Sequence, residues 1–514
     1  MDRRNFLLLS TITGLRSSGS PASDLLQSSA GSPDAALRDR LMHDPLRPQY
    51  HLLPRAGFVG DPCAPRHFRG EYHVFFHGSF GGRGWQHAVS ADLVHWRHMP
   101  IALSPTDGGY DAHGTFTGGV LPGGDGANVI YTGVTKVSRD QETIRAEGLR
   151  EVQCMATSED DDLRVWKKRD APVIAFPPAG LKVTGFRDPF AWKDGNTWYL
   201  GIGSGFPQIG GAVLLYRSTD TVTWEYLHPL AQGSWNGRSF SNPVPSGEMW
   251  ECPDFFPLGN KHVLLYSTEH TTRWEVGTYD RSDLRFRSEK KGILDHGSYY
   301  APRTMSDGSN RRIMWGWVQE TRDPAAIRAA GWSGSISLPR VLTLAPDSAL
   351  MMEVAPELAA LRQNTIYIED PRTSSELNQS LARAAIHSRA GEVICLFKAG
   401  DSVCSLEMQL HSNANTTTIF TVAYSRANDA PFVAIGDKLL PLSPDRDGFS
   451  TLHIWIDGSI IETFIDKRQA ITTRYYDAPN DIGEISIVWN GPCTSLKKMT
   501  VSDIRSISND RLTT

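Results

Sequence analysis

The chain has 514 residues, a net charge of −5, and 40% hydrophobic against 21% charged residues. That length allows about two to four domains, and the composition excludes a disordered chain. There is no basic run and no apolar run of membrane-spanning length, so nothing favours a nucleic-acid partner or a membrane span.

In chain order, Arg3 and Arg4 come first, ahead of a short apolar stretch that ends near Leu15 and is broken by Arg16. This resembles a twin-arginine or weak secretory signal, so residues 1–45 read as a leader and the protein as extracytoplasmic. From residue 46 to 345 long helical periodicity is missing. The 14 Trp, 15 Tyr and 20 Phe beside 46 Gly and 31 Pro predict short strands and tight turns there. A repeat organises them. Asp92-Leu93-Val94-His95-Trp96 is echoed by Asp162 to Trp166, by Asp220 to Trp224 and, shortened, by Asp283 to Phe286, at spacings of 70, 58 and 63 residues. Apolar strand-like runs precede the echoes, at 72–76, 128–134, 198–203 and 262–267, and a fifth run at 312–318 has none. Four or five β units of this length predict a β-propeller, with a long β-sandwich as the competing architecture. Residues 346–365 read as a linker with a short helix at 354–362. Residues 366–514 then read as a sandwich-type domain, with a marked hairpin at Asp457-Gly458-Ser459. Cys395 and Cys404 could pair across a hairpin, and Asn378 and Asn415 stand in Asn-x-Ser/Thr sites. No His/Cys/carboxylate cluster has metal spacing, so neither metal nor cofactor is expected.

Three acids lie in ring-rich segments of three different units: Asp61 in Gly60-Asp61-Pro62-Cys63, Asp188 in Arg187-Asp188-Pro189, and Glu251 in Trp250-Glu251-Cys252-Pro253. Any one alone reads as a turn, because the residue before Pro is pushed to extended conformations. Three in separate units point to one shared axial pocket.

With these acids stand Trp85-Gln86-His87, Tyr131-Thr132-Gly133, Tyr299-Tyr300-Ala301-Pro302, Trp315-Gly316-Trp317 and Leu338-Pro339-Arg340. Together they resemble glycoside hydrolase family 32, the β-fructofuranosidases, inulinases, levanases and fructosyltransferases. The resemblance implies an all-β chain, a five-bladed β-propeller followed by a C-terminal β-sandwich. It implies a fructose-containing oligo- or polysaccharide as substrate. It implies Asp61 as nucleophile, Glu251 as general acid/base and Asp188 as transition-state stabiliser, in a retaining mechanism with the two working carboxyls about 5–5.5 Å apart. Arg187 is expected to keep Asp188 ionised, and Trp250 and Cys252 to raise the pKa of Glu251 by desolvation.

The pattern is departed from at Gly60, where the family has an Asn that contacts the fructosyl unit, and at Cys63. These features resemble a group containing fungal fructosyltransferases, so transfer is the close alternative to hydrolysis. His77 stands where the family has Gln and reads either as a sugar contact or as structural. Phe116 and Thr117 lie in the small-residue strand near the fructosyl site, with Asp111 and His113 just before it. Trp85 reads as a stacking wall or as blade packing. Cys252 is a further candidate contact, and Glu320 would line the acceptor side. Two other readings compete: a sugar-binding propeller without catalysis, and a five-bladed glycosidase for arabinose- or xylose-type sugars.

Overall fold

The computed structural model describes residues 35–508 apart from 124–126, 143, 145–147, 385, 388, 399–403, 412–415, 428–429, 477–484 and 493–494. The twin-arginine segment and Asn415 lie outside the described residues. Residues 35–45, read as leader, belong to the folded body instead. Helix Ala35–His43 buries Leu41 in the main core, and Asp44 accepts a hydrogen bond from the Trp332 indole at 2.7 Å.

Residues 57–354 form five antiparallel sheets. Their first strands are Gly57–Phe68, Gly114–Leu121, Phe186–Asp194, Glu251–Leu258 and Tyr299–Ser306. Each packs beside the first strand of the next sheet, and the fifth packs beside the first. A late strand, Trp332–Ser333, pairs parallel with Gly57–Phe68 and ties the two ends of this region together. The five apolar runs are the second strands of the five sheets.

The sequence repeat has a defined structural place: it is the turn between third and fourth strands. The residue after each Asp adopts a left-handed backbone, φ being 65° at Leu93, 58° at Leu163, 65° at Thr221 and 55° at Leu284. Asp92 accepts the amides of Val94 and His95 at 2.9 and 2.8 Å, and Asp220 those of Val222 and Thr223 at 2.8 and 2.7 Å. In the second unit Asp160, not Asp162, takes this part, accepting from Arg164 and Val165 at 2.7 and 2.8 Å. A short side chain that bonds its own backbone turns the chain at little cost, so the motif recurs wherever this turn is needed.

After residue 354, the linking helix expected at 354–362 is a 3-10 turn, Pro356–Leu361. Two further sheets follow, the first built around Ala390–Phe397, Ser450–Asp457 and Leu496–Ile504, the second around Cys404–His411 and Ile485–Asn490. One apolar core runs between them, the arrangement of a sandwich. Cys395 and Cys404 lie on different sheets and do not form the disulfide that the sequence suggested. No helix among the described residues is long and apolar enough to cross a membrane.

Candidate active site

Every first strand breaks its pairing register: the first around Pro62 and again near Ala64, the others at Phe116–Thr117, at Asp188–Pro189, at Cys252–Pro253 and at Ala301–Pro302. Four of these breaks carry a non-glycine residue with left-handed backbone, φ being 39° at Ala64, 63° at Asp188, 47° at Cys252 and 52° at Ala301. Bulges of this kind re-aim side chains, and backbone strain of this kind is held only where packing over-determines it. Here they bring Asp61 and Asp188 to one thiol, that of Cys252, the residue after Glu251. Glycines permit the approach: a Cβ at Gly203 would stand 2.5 Å from the Trp250 carbonyl oxygen, and one at Gly205 1.8 Å from that of Glu248.

All three acids are buried, with Asp61 1%, Asp188 0% and Glu251 4% exposed. Asp61 Oδ2 accepts from the Thr117 hydroxyl at 3.0 Å, and His77 Nδ1 stands 4.0 Å from it. The Asp188 carboxylate accepts from the Cys252 amide at 2.9 Å, and its own amide donates to Thr132 Oγ1 at 2.9 Å. The Cys252 thiol bridges the two aspartates, 3.5 Å from Asp188 Oδ2 and 3.9 Å from Asp61 Oδ2. Glu251 Oε1 accepts from Arg187 Nε and Nη2 at 3.1 and 2.9 Å, and its Oε2 from the Tyr300 hydroxyl at 2.7 Å.

The hydrogen bonds of Arg187 go to a different acid from the one the sequence suggested. Its guanidinium turns to two glutamates, Glu251 and Glu151, donating to the latter from Nη1 at 2.9 Å. Glu151 also accepts from the Phe186 amide at 2.6 Å, so it anchors both Arg187 and the strand that carries Asp188. Glu151, Tyr300 and Thr132 escaped the sequence reading. Tyr300 and Thr132 lay inside quoted motifs, but nothing marked them as partners of the acids.

Of the other candidates, His77, Phe116, Thr117, Cys252 and Gly60 are gathered here. The His77 and Phe116 rings lie 6.4 Å apart. A Cβ at Gly60 would meet the Phe58 ring at 2.9 Å and His77 Cβ at 3.2 Å, so Phe58 occupies the space that an Asn at 60 would need. Three candidates are corrected. Trp85 is 1% exposed, wedged between Phe75 and Tyr131 with its indole N–H donating to the Phe116 carbonyl at 3.2 Å, so it packs sheets and presents no face to a sugar. Trp250 likewise stacks on Tyr266 with ring centres 3.8 Å apart and is 3% exposed, so its ring is taken up in packing. Glu320 is held in a structural knot. It pairs with Arg322 at 2.8 Å and accepts from the Tyr476 hydroxyl at 2.6 Å. Burial pushes its carboxyl up, but Arg322 and Arg474 outweigh that and hold it at about 2. Asp111 is structural too, accepting from Tyr131 at 2.9 Å and paired with Lys168. His113 Nδ1 accepts from the Lys136 amide at 3.2 Å.

A cluster of buried carboxyls, one tied to a guanidinium and a phenol, has the parts for acid–base and nucleophilic work on a glycosidic bond. The comparisons agree. Residues 51–353 match the glycosyl hydrolases family 32 N-terminal domain and residues 357–503 the family 32 C-terminal domain. A raffinose invertase of Escherichia coli is 34% identical over 84% of this chain and 89% of its own length. A sucrose-6-phosphate hydrolase of the same organism is 30% identical over 84% and 90%. Among solved structures, a sucrose-6-phosphate hydrolase from Lactobacillus gasseri superposes with a TM-score of 0.73 at 22% identity, covering 93% of this chain and 98% of its own. A Bombyx mori GH32 β-fructofuranosidase gives 0.72 at 24%, covering 92% and 97%. The chain belongs to glycoside hydrolase family 32 and is a glycosidase.

Proposed function

We propose that the protein is a β-fructofuranosidase that hydrolyses sucrose, with the five sheets as blades of a five-bladed propeller and the acids at its axis. The observation that carries this is the Asp61–Cys252–Asp188 bridge with Glu251 held beside it by Arg187 and Tyr300. Relatives named for the hydrolysis of sucrose 6-phosphate and raffinose support the substrate class. The ring of first-strand contacts supports the propeller.

In this reading Asp61 attacks the anomeric carbon of the fructosyl unit while Glu251 protonates the departing oxygen. A covalent ester on Asp61 then forms, and Glu251 takes a proton from the incoming water that releases fructose. Thr117 orients Asp61, and Arg187 and Tyr300 fix the rotamer of Glu251, so the two carboxyls need not reorganise during the reaction. Asp188, fixed through its amide by Thr132 and through its carboxylate by Cys252, is aimed to hold sugar hydroxyls.

The test is product analysis with sucrose, raffinose and inulin in turn, with NMR of the fresh product. Free fructose released with retained configuration is expected. Inversion refutes the double displacement. Longer oligosaccharides as the main product make the enzyme a fructosyltransferase working with the same acids. No product from any of the three refutes the assignment.

A further inference from the structure

The same five strands line a second cavity, further along the axis. Each supplies its wall three to five residues past its member of the acid site: Arg66 after Asp61, Val120 after Thr117, Trp192 after Asp188, Asp254 after Glu251 and Arg303 after Tyr300. At about 3.3 Å per residue, the cavity lies roughly 10–16 Å from the acids. Its volume is about 430 Å³.

Its charge is unusual. Three guanidiniums, Arg66, Arg303 and Arg312, line it with a single carboxylate among the described residues, Asp254. That carboxylate is already engaged, accepting from the amide and hydroxyl of Thr304 at 2.7 and 2.8 Å. Arg66 Nε and Nη1, Arg303 Nε and Arg312 Nε are buried without a hydrogen-bond partner among the described residues. Burial with no acid beside it pulls the Arg66 guanidinium down to about 10, which still leaves it charged at neutral pH. The cations are nevertheless held in place: Arg66 lies over the Phe68 ring at 4.5 Å and Arg312 over Phe256 at 4.4 Å. Fixed, largely desolvated cations are costly unless an anion balances their charge. An excess of two positive charges in planar forks suits a doubly charged oxyanion.

We propose that this axial cavity is a binding site for a phosphate group, free or carried on a small sugar, separate from the acid site. Arg303 connects the two. It donates to the Asp188 and Pro253 carbonyl oxygens at 3.1 and 2.5 Å, so an anion here braces the strands that bear Asp188 and Glu251. A ligand that binds only the folded state raises its stability in a saturable way.

The experiment is thermal unfolding of the full chain titrated with inorganic phosphate against sodium chloride of equal ionic strength. Glucose 6-phosphate and glucose form two further arms. A saturable rise in Tm with phosphate is expected, weakened at least about tenfold in apparent affinity by the double substitution Arg66→Gln/Arg312→Gln. A second variant, Asp254→Asn, removes the one opposing charge and is expected to tighten binding, which keeps the test decisive should the double variant fail to unfold cooperatively. A rise with glucose 6-phosphate alone, lost in the double variant, assigns the site to a sugar-borne phosphate. A rise with both carriers assigns it to the free anion. A rise that chloride reproduces, or one that survives the double substitution, overturns the site.

Discussion

Two clusters of buried acids occupy this molecule, and they are built differently. One is the site of Asp61, Asp188 and Glu251. The other lies where the five-sheet region meets the sandwich, and joins Asp295, Asp457 and Glu462 to His51 and Arg340, with the five side chains nearly devoid of solvent. At the junction the donors are rigid. Asp457 accepts the amides of Gln49, Tyr50 and His51 at 2.6, 2.9 and 2.9 Å and the His51 ring at 2.8 Å. Glu462 accepts from His51 at 3.0 Å, from the Leu338 amide at 2.9 Å and from Arg340 at 2.7 Å. Asp295 accepts from Arg340 at 2.9 Å and from the Thr472 hydroxyl at 2.7 Å. Around Asp61 and Asp188 the donors include a hydroxyl and a thiol on side chains, and the backbone that carries Asp188 and Cys252 sits in left-handed conformations. Acids shared between two docked regions serve stability, whereas acids on or beside a strained backbone are the ones set up for chemistry.

The sharpest way to break this contrast is to remove an acid from each cluster and read both activity and stability. Asp61→Ala is expected to lower kcat about 10⁴-fold or more, and Glu251→Gln about 10²–10⁴-fold, with Tm unchanged or slightly raised. Steady-state kinetics beside calorimetry checks it. Near-normal turnover in either variant would remove that acid from its proposed role.

Arg340→Met should do the reverse. It leaves Asp295 and Glu462 buried without their shared cation, at a cost of about 3–5 kcal/mol in unfolding free energy, while kcat of the folded fraction holds. Denaturant titration measures the first and active-site-normalised rates the second. Unaltered stability would mean that the junction is not the fastener described here.

The junction also sets a pH window. Burial alone would lower the pKa of His51, but its hydrogen bonds to Asp457 and Glu462 prevail and raise it. A raised folded value stabilises fully below the unfolded pKa of about 6.5, and that contribution is lost as pH climbs through the folded value. For Glu462, burial acts upward, but Arg340 and His51 bring it down to about 2. Its contribution is therefore present above the unfolded pKa of about 4.3 and lost as pH falls toward 2. Tm measured across pH should fall at both ends, and His51→Gln should flatten the alkaline fall. An unchanged alkaline fall in that variant would assign it to another group.

The two clusters were unequally legible in the sequence. Asp61, Asp188 and Glu251 stand next to or near prolines in ring-rich segments, and the repeat placed them in separate units, so their convergence could be read. Arg187 was visible as a charge but not in its partner, because Glu151 lies 36 residues earlier, just ahead of the Val152–Ser158 segment, and nothing marks it as an ion-pair partner. The tryptophans misled for a physical reason: a strand puts alternate residues on opposite faces, and the sequence does not say which face meets a neighbouring sheet. Trp85 and Trp250 fell on the packed one. The junction was illegible altogether. His51, Arg340 and Glu462 lie hundreds of residues apart, and only the docking of the two regions brings them together.

A smaller effect sharpens the first half of the comparison. Tyr300→Phe removes one hydrogen bond to a carboxylate while Arg187 still grips the other oxygen of Glu251. The loss of about 1.5 kcal/mol of positioning corresponds to roughly tenfold in kcat, with KM nearly unchanged. A loss as deep as that of Glu251→Gln would show that the phenol takes part in proton transfer itself.

The smallest effect is expected at Gly60. A Cβ there meets the Phe58 ring at 2.9 Å, and Phe58 packs edge-on against Trp317 with ring centres 5.9 Å apart, so the ring can yield only by opening that contact. Gly60→Ala should therefore cost about 1 kcal/mol in stability through overpacking. It should raise KM a fewfold by displacing Phe58 and the His77 ring that stands 4.0 Å from Asp61, and leave kcat almost untouched because Asp61 keeps its Thr117 hydrogen bond. Pairing it with Phe58→Leu, which clears the space, should return KM toward the starting value. Failure of that rescue would show that position 60 acts through the backbone leading into Asp61 and not through the ring beside it.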